Sequence, residues 1–163
     1  MKTLLILRHG KAAPEGSSGD AKRPLTQRGK HEAELMGKLL RKDDLVPDHI
    51  LASNARRTRE TASLAAAAAH ANCTLEELDE LYLAEPEAYI SAVRRNAPDA
   101  RRVLLVGHNP SLEALALILT GDPVSLPPAG LVVCALPIAS FAELTPRVRG
   151  QMQKIVVPSE LEE

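Results

Sequence analysis

Three short aliphatic runs in this chain each stop abruptly at polar residues. Residues 4–7 end at Arg8, His9 and Gly10; residues 50–52 end at Ser53 and Asn54; residues 103–106 end at Gly107, His108, Asn109 and Pro110. Unbroken aliphatic runs of this length predict strands covered on both faces. The stretches between them carry apolar residues at helical spacing. Thr26 can cap a helix with Ala33, Met36, Gly37 and Leu40 on one face, ended by residues 43–47. A second helix runs from about residue 55 to about residue 71, where Ala62, Ala65, Ala66 and Ala69 make a smooth face able to lie close against a sheet. Pro86 fits the first turn of a third, with Ala88, Tyr89, Ala92 and Val93. Asn109 as N-cap and Pro110 at the first helical position open a fourth, whose Leu112, Leu115, Ala116 and Leu119 share a face closed by Gly121.

Residues 74–83 mix acids with leucines and fit either a strand or irregular chain. Residues 14–24 are rich in Gly, Ser, Pro and charge, as a solvated loop is. Residues 131–136 and 154–157 predict two late strands at a sheet edge, stopped by Pro137 and Pro158. Alternation of strands and helices up to about residue 120 predicts an α/β three-layer sandwich, with a mainly parallel central sheet and helices on both faces.

With 163 residues, the chain is long enough for one domain, 1–163, to bury a core without disulfides or metals. A net charge of -1 gives no electrostatic case for nucleic acid or an anionic membrane, and 2% aromatic residues leave little to stack on bases. Cys73 and Cys134 lie far apart with no metal-ligand spacing, and read as small hydrophobes. No run reaches membrane-spanning length and the first aliphatic run is too short for a signal-peptide core, so the expected location is the cytoplasm.

Ligands of open α/β sheets bind beyond the carboxyl ends of the strands. There the three predicted strands deliver Arg8 and His9, Ser53, and His108, with Arg56 and Arg57 just beyond the second. A histidine after an apolar run is often only a buried structural group, but two histidines, at least two arginines and a helix N-terminus together describe a site for a compact, multiply charged anion. Phosphate is the simplest such ligand. A metal would need a third ligand that neither Arg-His-Gly nor Gly-His-Asn-Pro supplies, and the arginines would repel it, so no metal and no cofactor is expected. A neutral imidazole whose Nδ1–H is held by a carbonyl turns its Nε2 lone pair outward, where it can attack phosphorus.

Leu-Arg-His-Gly-Lys-Ala at 7–12, Arg-Pro-Leu-Thr-Gln-Arg-Gly at 23–29, Ser-x-Ala-x-Arg-Thr-x-Glu-Thr at 53–61 and Gly-His-Asn-Pro at 107–110 resemble the histidine phosphatase superfamily, in its small SixA-type phosphohistidine phosphatase branch. The resemblance covers nearly the whole chain and implies a phosphoglycerate mutase-like fold and a metal-independent phosphatase. It implies that His9 is the nucleophile that is transiently phosphorylated, and that Arg8, Arg57 and His108 clamp the phosphoryl oxygens, with Arg56 on the helix flank. Ser53 can add a hydrogen bond or simply shape the turn, and Asn109 stands where some acid-phosphatase relatives place an aspartate. Glu80 is the best positional match for a general acid and equally fits a surface carboxylate; Asp20 and Arg23 fit a loop-fixing pair. Without an insertion long enough for a lid, the crevice should be open. That favours a phosphohistidine-bearing protein, such as a histidine phosphotransfer domain, as partner of a monomeric enzyme. The alternatives are a small-molecule phosphomonoesterase or mutase of the same superfamily, and a non-catalytic phosphate-binding module.

Overall fold

In a computed structural model of the chain, which describes residues 1–161, six strands form one sheet. The strands are β1 (Lys2–Arg8), β2 (His49–Ser53), β3 (Thr74–Leu78), β4 (Arg102–Gly107), β5 (Leu131–Leu136) and β6 (Gln151–Val156). The helices are α1 (Gln27–Lys42), α2 (Arg56–Ala69), α3 (Pro86–Asn96) and α4 (Ser111–Thr120). The strand order is β3-β2-β4-β1-β5-β6, with β3, β2, β4 and β1 mutually parallel and β5 antiparallel to both of its neighbours.

Strand alternation assigns each aliphatic side chain to a face. Leu4, Ile6, Val103 and Leu105 point towards α3 and α4, where Tyr89, Val93, Leu112 and Leu115 close one core. Leu5, Leu7, Leu104 and Val106 point the other way, onto Met36 and Leu40 of α1 and Ala62 and Ala65 of α2. Each of these sheet leucines is wholly buried, and truncating one to alanine should cost on the order of 2–5 kcal/mol. The small face of α2 serves the neighbouring helix as well as the sheet. A Cβ on Gly37 of α1 would lie 2.3 Å from the Ala65 carbonyl oxygen, so glycine permits the close helix crossing.

Two sequence expectations change. Leu131–Leu136 does not lie at an edge: β5 pairs with β1 on one side and β6 on the other, and all six of its residues are buried. The proline after it marks the strand's end, not an exposed edge, and only β6 and β3 are outermost. The second concerns the start of α4. Its first residue is Ser111, Pro110 takes the capping position, and the Asn109 side chain bonds elsewhere. The ambiguous stretch 74–83 divides into edge strand β3 and a 3-10 turn, Asp79–Leu81.

Candidate active site

Parallel pairing of β1 with β4 sets Arg8 opposite Gly107 and bonds the His9 amide to the Gly107 carbonyl (3.1 Å). The next residue on each strand is a histidine, so His9 and His108 emerge side by side, their ring centroids 5.4 Å apart. Ser53 ends β2, which pairs with β4 from the other side. A Cβ on Gly107 would stand 2.3 Å from the Tyr89 hydroxyl; with glycine there, that hydroxyl accepts the His108 amide (3.2 Å) and fixes the backbone beneath the ring.

The surroundings dictate opposite tautomers for the two histidines. His9 Nδ1 lies 2.8 Å from the Gly10 carbonyl oxygen, which can only accept. The proton therefore sits on Nδ1 and the lone pair on Nε2. The turn is tied down by the Gly10 amide, which donates to Thr61 Oγ1 (3.0 Å). Around His108 the sequence of donors starts at Thr58, whose hydroxyl faces the Ser53 and Ala55 carbonyls (2.9 and 2.8 Å) and spends its proton there. Ser53 Oγ then donates to Thr58 Oγ1 (2.7 Å) and accepts from His108 Nε2 (2.7 Å). His108 Nδ1 is left bare, and faces Arg57 Nη2, a pure donor, at 3.4 Å.

Burial, with Arg57, Arg8 and Arg23 adding to it against the Gly10 hydrogen bond, lowers the His9 pKa from the ordinary 6.5 to about 4. Burial, with His9 and Arg57 adding to it, brings His108 to about 3. Both rings are neutral at pH 7.

The arginines are held from behind. Arg57 is buried; its Nη1 donates to the Asp20 carbonyl (2.8 Å) and its Nη2 to Asp20 Oδ2 (3.0 Å). Arg56 turns to the flank and pairs with Glu60. Arg8 Nη1 donates to the Leu126 carbonyl (2.9 Å), and Leu126 is anchored by its amide to Glu113 Oε2 (2.7 Å). Asn109 belongs to this support: its Nδ2 donates to Glu113 Oε2 (2.9 Å) and the Leu126 carbonyl (3.0 Å). The Nε atoms of both Arg8 and Arg57 are buried and find no partner among the described residues. Arg102 Nε, away from this cluster, is buried without a partner in the same way, so the orphaned Nε atoms do not by themselves mark an anion site.

Glu80 is not brought to these groups. It stands exposed on the 3-10 turn, with its Oε2 2.5 Å from Arg95 Nη2. Asp20 does more than fix a loop. Its carboxylate accepts from Arg23 (3.0 Å), from Arg57 and from the Tyr82 hydroxyl. The Tyr82 bond, followed by the two arginines, keeps Asp20 ionised far below the usual carboxylate range and raises the Tyr82 pKa. Tyr82 in turn sets its ring edge-on to His108, centroids 5.7 Å apart. The sequence offered no spacing that joins Asp20, Tyr82 and Glu113 to the histidines. Thr58 and Thr61 did have a signal, since both lie in the 53–61 motif. Among the described residues no three His, Cys, Asp or Glu side chains converge to hold a metal ion.

The sequence model of the histidine phosphatase superfamily (branch 1) matches residues 4–100. An uncharacterised protein of Mycobacterium leprae is 31% identical over 157 residues, covering 94% of each chain. The structure assigned as phosphohistidine phosphatase SixA from Agrobacterium tumefaciens superposes with a TM-score of 0.82 at 29% identity, over 96% of this chain and 98% of that one. A mycobacterial glucosyl-3-phosphoglycerate phosphatase shares the fold at a TM-score of 0.68 and 16% identity, over 94% and 98% of the two chains.

Proposed function

Because this chain belongs to the histidine phosphatase superfamily, we propose that it dephosphorylates a phosphohistidine on another protein, with the phosphoryl group resting transiently on His9 Nε2. The observation that carries the reading is a neutral His9, its Nε2 lone pair free, beside His108 and within the positive field of Arg57 and Arg8.

Nε2 of His9 attacks phosphorus and the bond to the leaving group breaks; Arg8 and Arg57 meet the equatorial oxygens, whose charge grows in the transition state. The phosphoryl dianion also provides the counter-charge that burial denies His108. As the dianion binds, that ring takes up a proton from solvent at Nδ1 and donates it as a hydrogen bond to a phosphoryl oxygen, Arg57 Nη2 turning from Nδ1 to the phosphoryl group, while Nε2–H stays on Ser53. Water then attacks the His9 adduct, releasing phosphate and restoring the free imidazole. No step requires a metal, and exhaustive chelation is expected to leave turnover unchanged; a loss restored by a divalent cation would contradict this.

The state of the carboxylates bears on the leaving group. Glu80 is engaged by Arg95, Glu113 accepts from Asn109 and Leu126, and Asp20 is ionised. None of the three is poised to protonate an alkoxide. A phosphorylated imidazole can leave without such a proton, which supports phosphohistidine over a phosphate monoester. The neighbour assigned as a phosphohistidine phosphatase supports it too; the partner proposed for this chain is a phosphorylated histidine phosphotransfer domain. The test compares kcat/KM on such a domain with a panel of phosphate monoesters. Clear preference for the phosphorylated protein is expected; preference for a sugar phosphate or phosphoglycerate would replace this reading.

A further inference from the structure

Building on phosphohistidine as the substrate, we infer that Asp20 is a specificity-determining residue, whose Oδ1 accepts the free ring N–H of the substrate's phosphoimidazolium. A carboxylate offers about four lone-pair sites. Three are taken: Arg23 binds Oδ1, while Arg57 and Tyr82 both bind Oδ2. The remaining site is on Oδ1, and the Asp20 side chain is 31% exposed, so a ligand can reach it.

Its placement fits an incoming substrate. Arg57 Nη2 touches Asp20 Oδ2 at 3.0 Å and His108 Nδ1 at 3.4 Å, so a phosphoryl group gripped by Arg57 and His108 has the Asp20 carboxylate as its neighbour. Asp20 is also carried on a strap. The neck is closed by the Ala12–Leu25 bridge and the Ala13 amide on the Pro24 carbonyl (2.8 Å), residues 14–18 are exposed, and Asp20 fastens the far side to Arg57 and Tyr82. A second anion beside a phosphate-binding cluster works against anionic substrates. It is useful only if the substrate brings a positive charge with its phosphoryl group.

Phosphohistidine protonated on the second ring nitrogen does so. The His9 Nε2–P bond forms as the P–N bond breaks, and the electron pair returns to the ring nitrogen that held phosphorus. The ring departs as neutral imidazole, keeping the proton it brought, so no acid is consumed. Asp20 favours the protonated substrate and so raises the fraction able to leave this way. Anionic leaving groups gain nothing from it and are repelled.

The test is Asp20→Asn, which keeps an oxygen for Arg57 and Tyr82, places an amide N–H donor where Oδ1 met Arg23, and removes both the charge and the proposed acceptor site. Rates are measured near neutral pH on a phosphohistidine peptide, on p-nitrophenyl phosphate and on 3-phosphoglycerate. Because Asp20 also holds Arg57, some loss is expected on every substrate; the inference expects the fall in kcat/KM on the peptide to exceed that on either monoester by about tenfold or more. An equal fall on all three would mean that Asp20 only positions Arg57, and no change on any would remove it from the reaction; either result overturns the inference. A turnover-free arm separates this from the proposed function. Protein loaded with tungstate is titrated with imidazole near pH 6 and followed by chemical shift, with Asp20→Asn in parallel. Weaker imidazole binding in the variant supports the Asp20 contact even if wild-type protein fails to turn over phosphohistidine, a failure that would count against the substrate alone. Equal binding in the two proteins overturns the contact.

Discussion

His9 and His108 are the same side chain, one residue beyond the ends of adjacent parallel strands, yet they are prepared for different work. The carbonyl next to His9 holds its Nδ1 proton and leaves Nε2 as a bare base. Ser53, ordered by Thr58, holds His108 by Nε2 and leaves Nδ1 facing Arg57. Strand pairing brings the rings together; in the proposed reaction, the hydrogen bond on the far nitrogen decides which attacks and which grips. Similar burial pushes both pKa values down, so ionisation alone does not distinguish them.

If the division of labour is right, the largest effect comes from His9→Ala, which should abolish turnover and any phosphoprotein intermediate. Its side chain is only partly buried, so the unfolding midpoint should stay near wild type. Arg57→Ala and His108→Ala each remove a donor aimed at the phosphoryl group and should lower kcat by on the order of a hundred- to thousandfold. Steady-state rates beside unfolding curves check this, and near wild-type rates in a folded variant would place the clamp elsewhere. Ser53→Ala frees His108 to swap tautomers and should cost roughly tenfold in kcat, as expected for one hydrogen bond, with the His9 adduct still forming.

The smallest effect is on stability. Both histidines take up a proton less readily in the folded protein, about 4 and 3 against 6.5, so in acid the unfolded chain binds protons first. Their contribution is complete above pH 6.5 and is lost as pH falls through about 4 for His9 and about 3 for His108. Denaturant midpoints should decline over that window, and less steeply in the His9→Ala, His108→Ala double variant. An equal slope would mean that other groups dominate.

Much of this was legible in the sequence because strands are local. Residues 4–7, 50–52 and 103–106 are apolar on both faces, which fixes a buried parallel sheet, and the residues just past them must share one edge. Arg8, His9, Ser53 and His108 follow from that, while Arg57 in place of Arg56 came from the family resemblance. The partners arriving from loops were not legible. Asp20 sits in a stretch that reads as solvated, and it reaches Arg57 and Tyr82 only because the 14–24 strap folds back over the edge. Asn109 looked like a helix cap because Asn-Pro commonly opens helices. Glu113, four residues on, and Leu126, from a later loop, claim its amide instead. Glu80 matched a position by order along the chain, whereas Arg95, one helix away, settles where it points.

The account turns on one atom, Nε2 of His9. Rapid quenching in base after mixing with labelled substrate, followed by peptide mapping and assignment of the phosphorylated ring nitrogen, tests it most directly. The expected result is a base-stable, acid-labile label on His9 at Nε2, appearing and decaying at rates compatible with turnover and missing from His9→Ala. Label on His108, label on Nδ1 of His9, or full turnover with no adduct at all would contradict the tautomer assignment and the mechanism built on it.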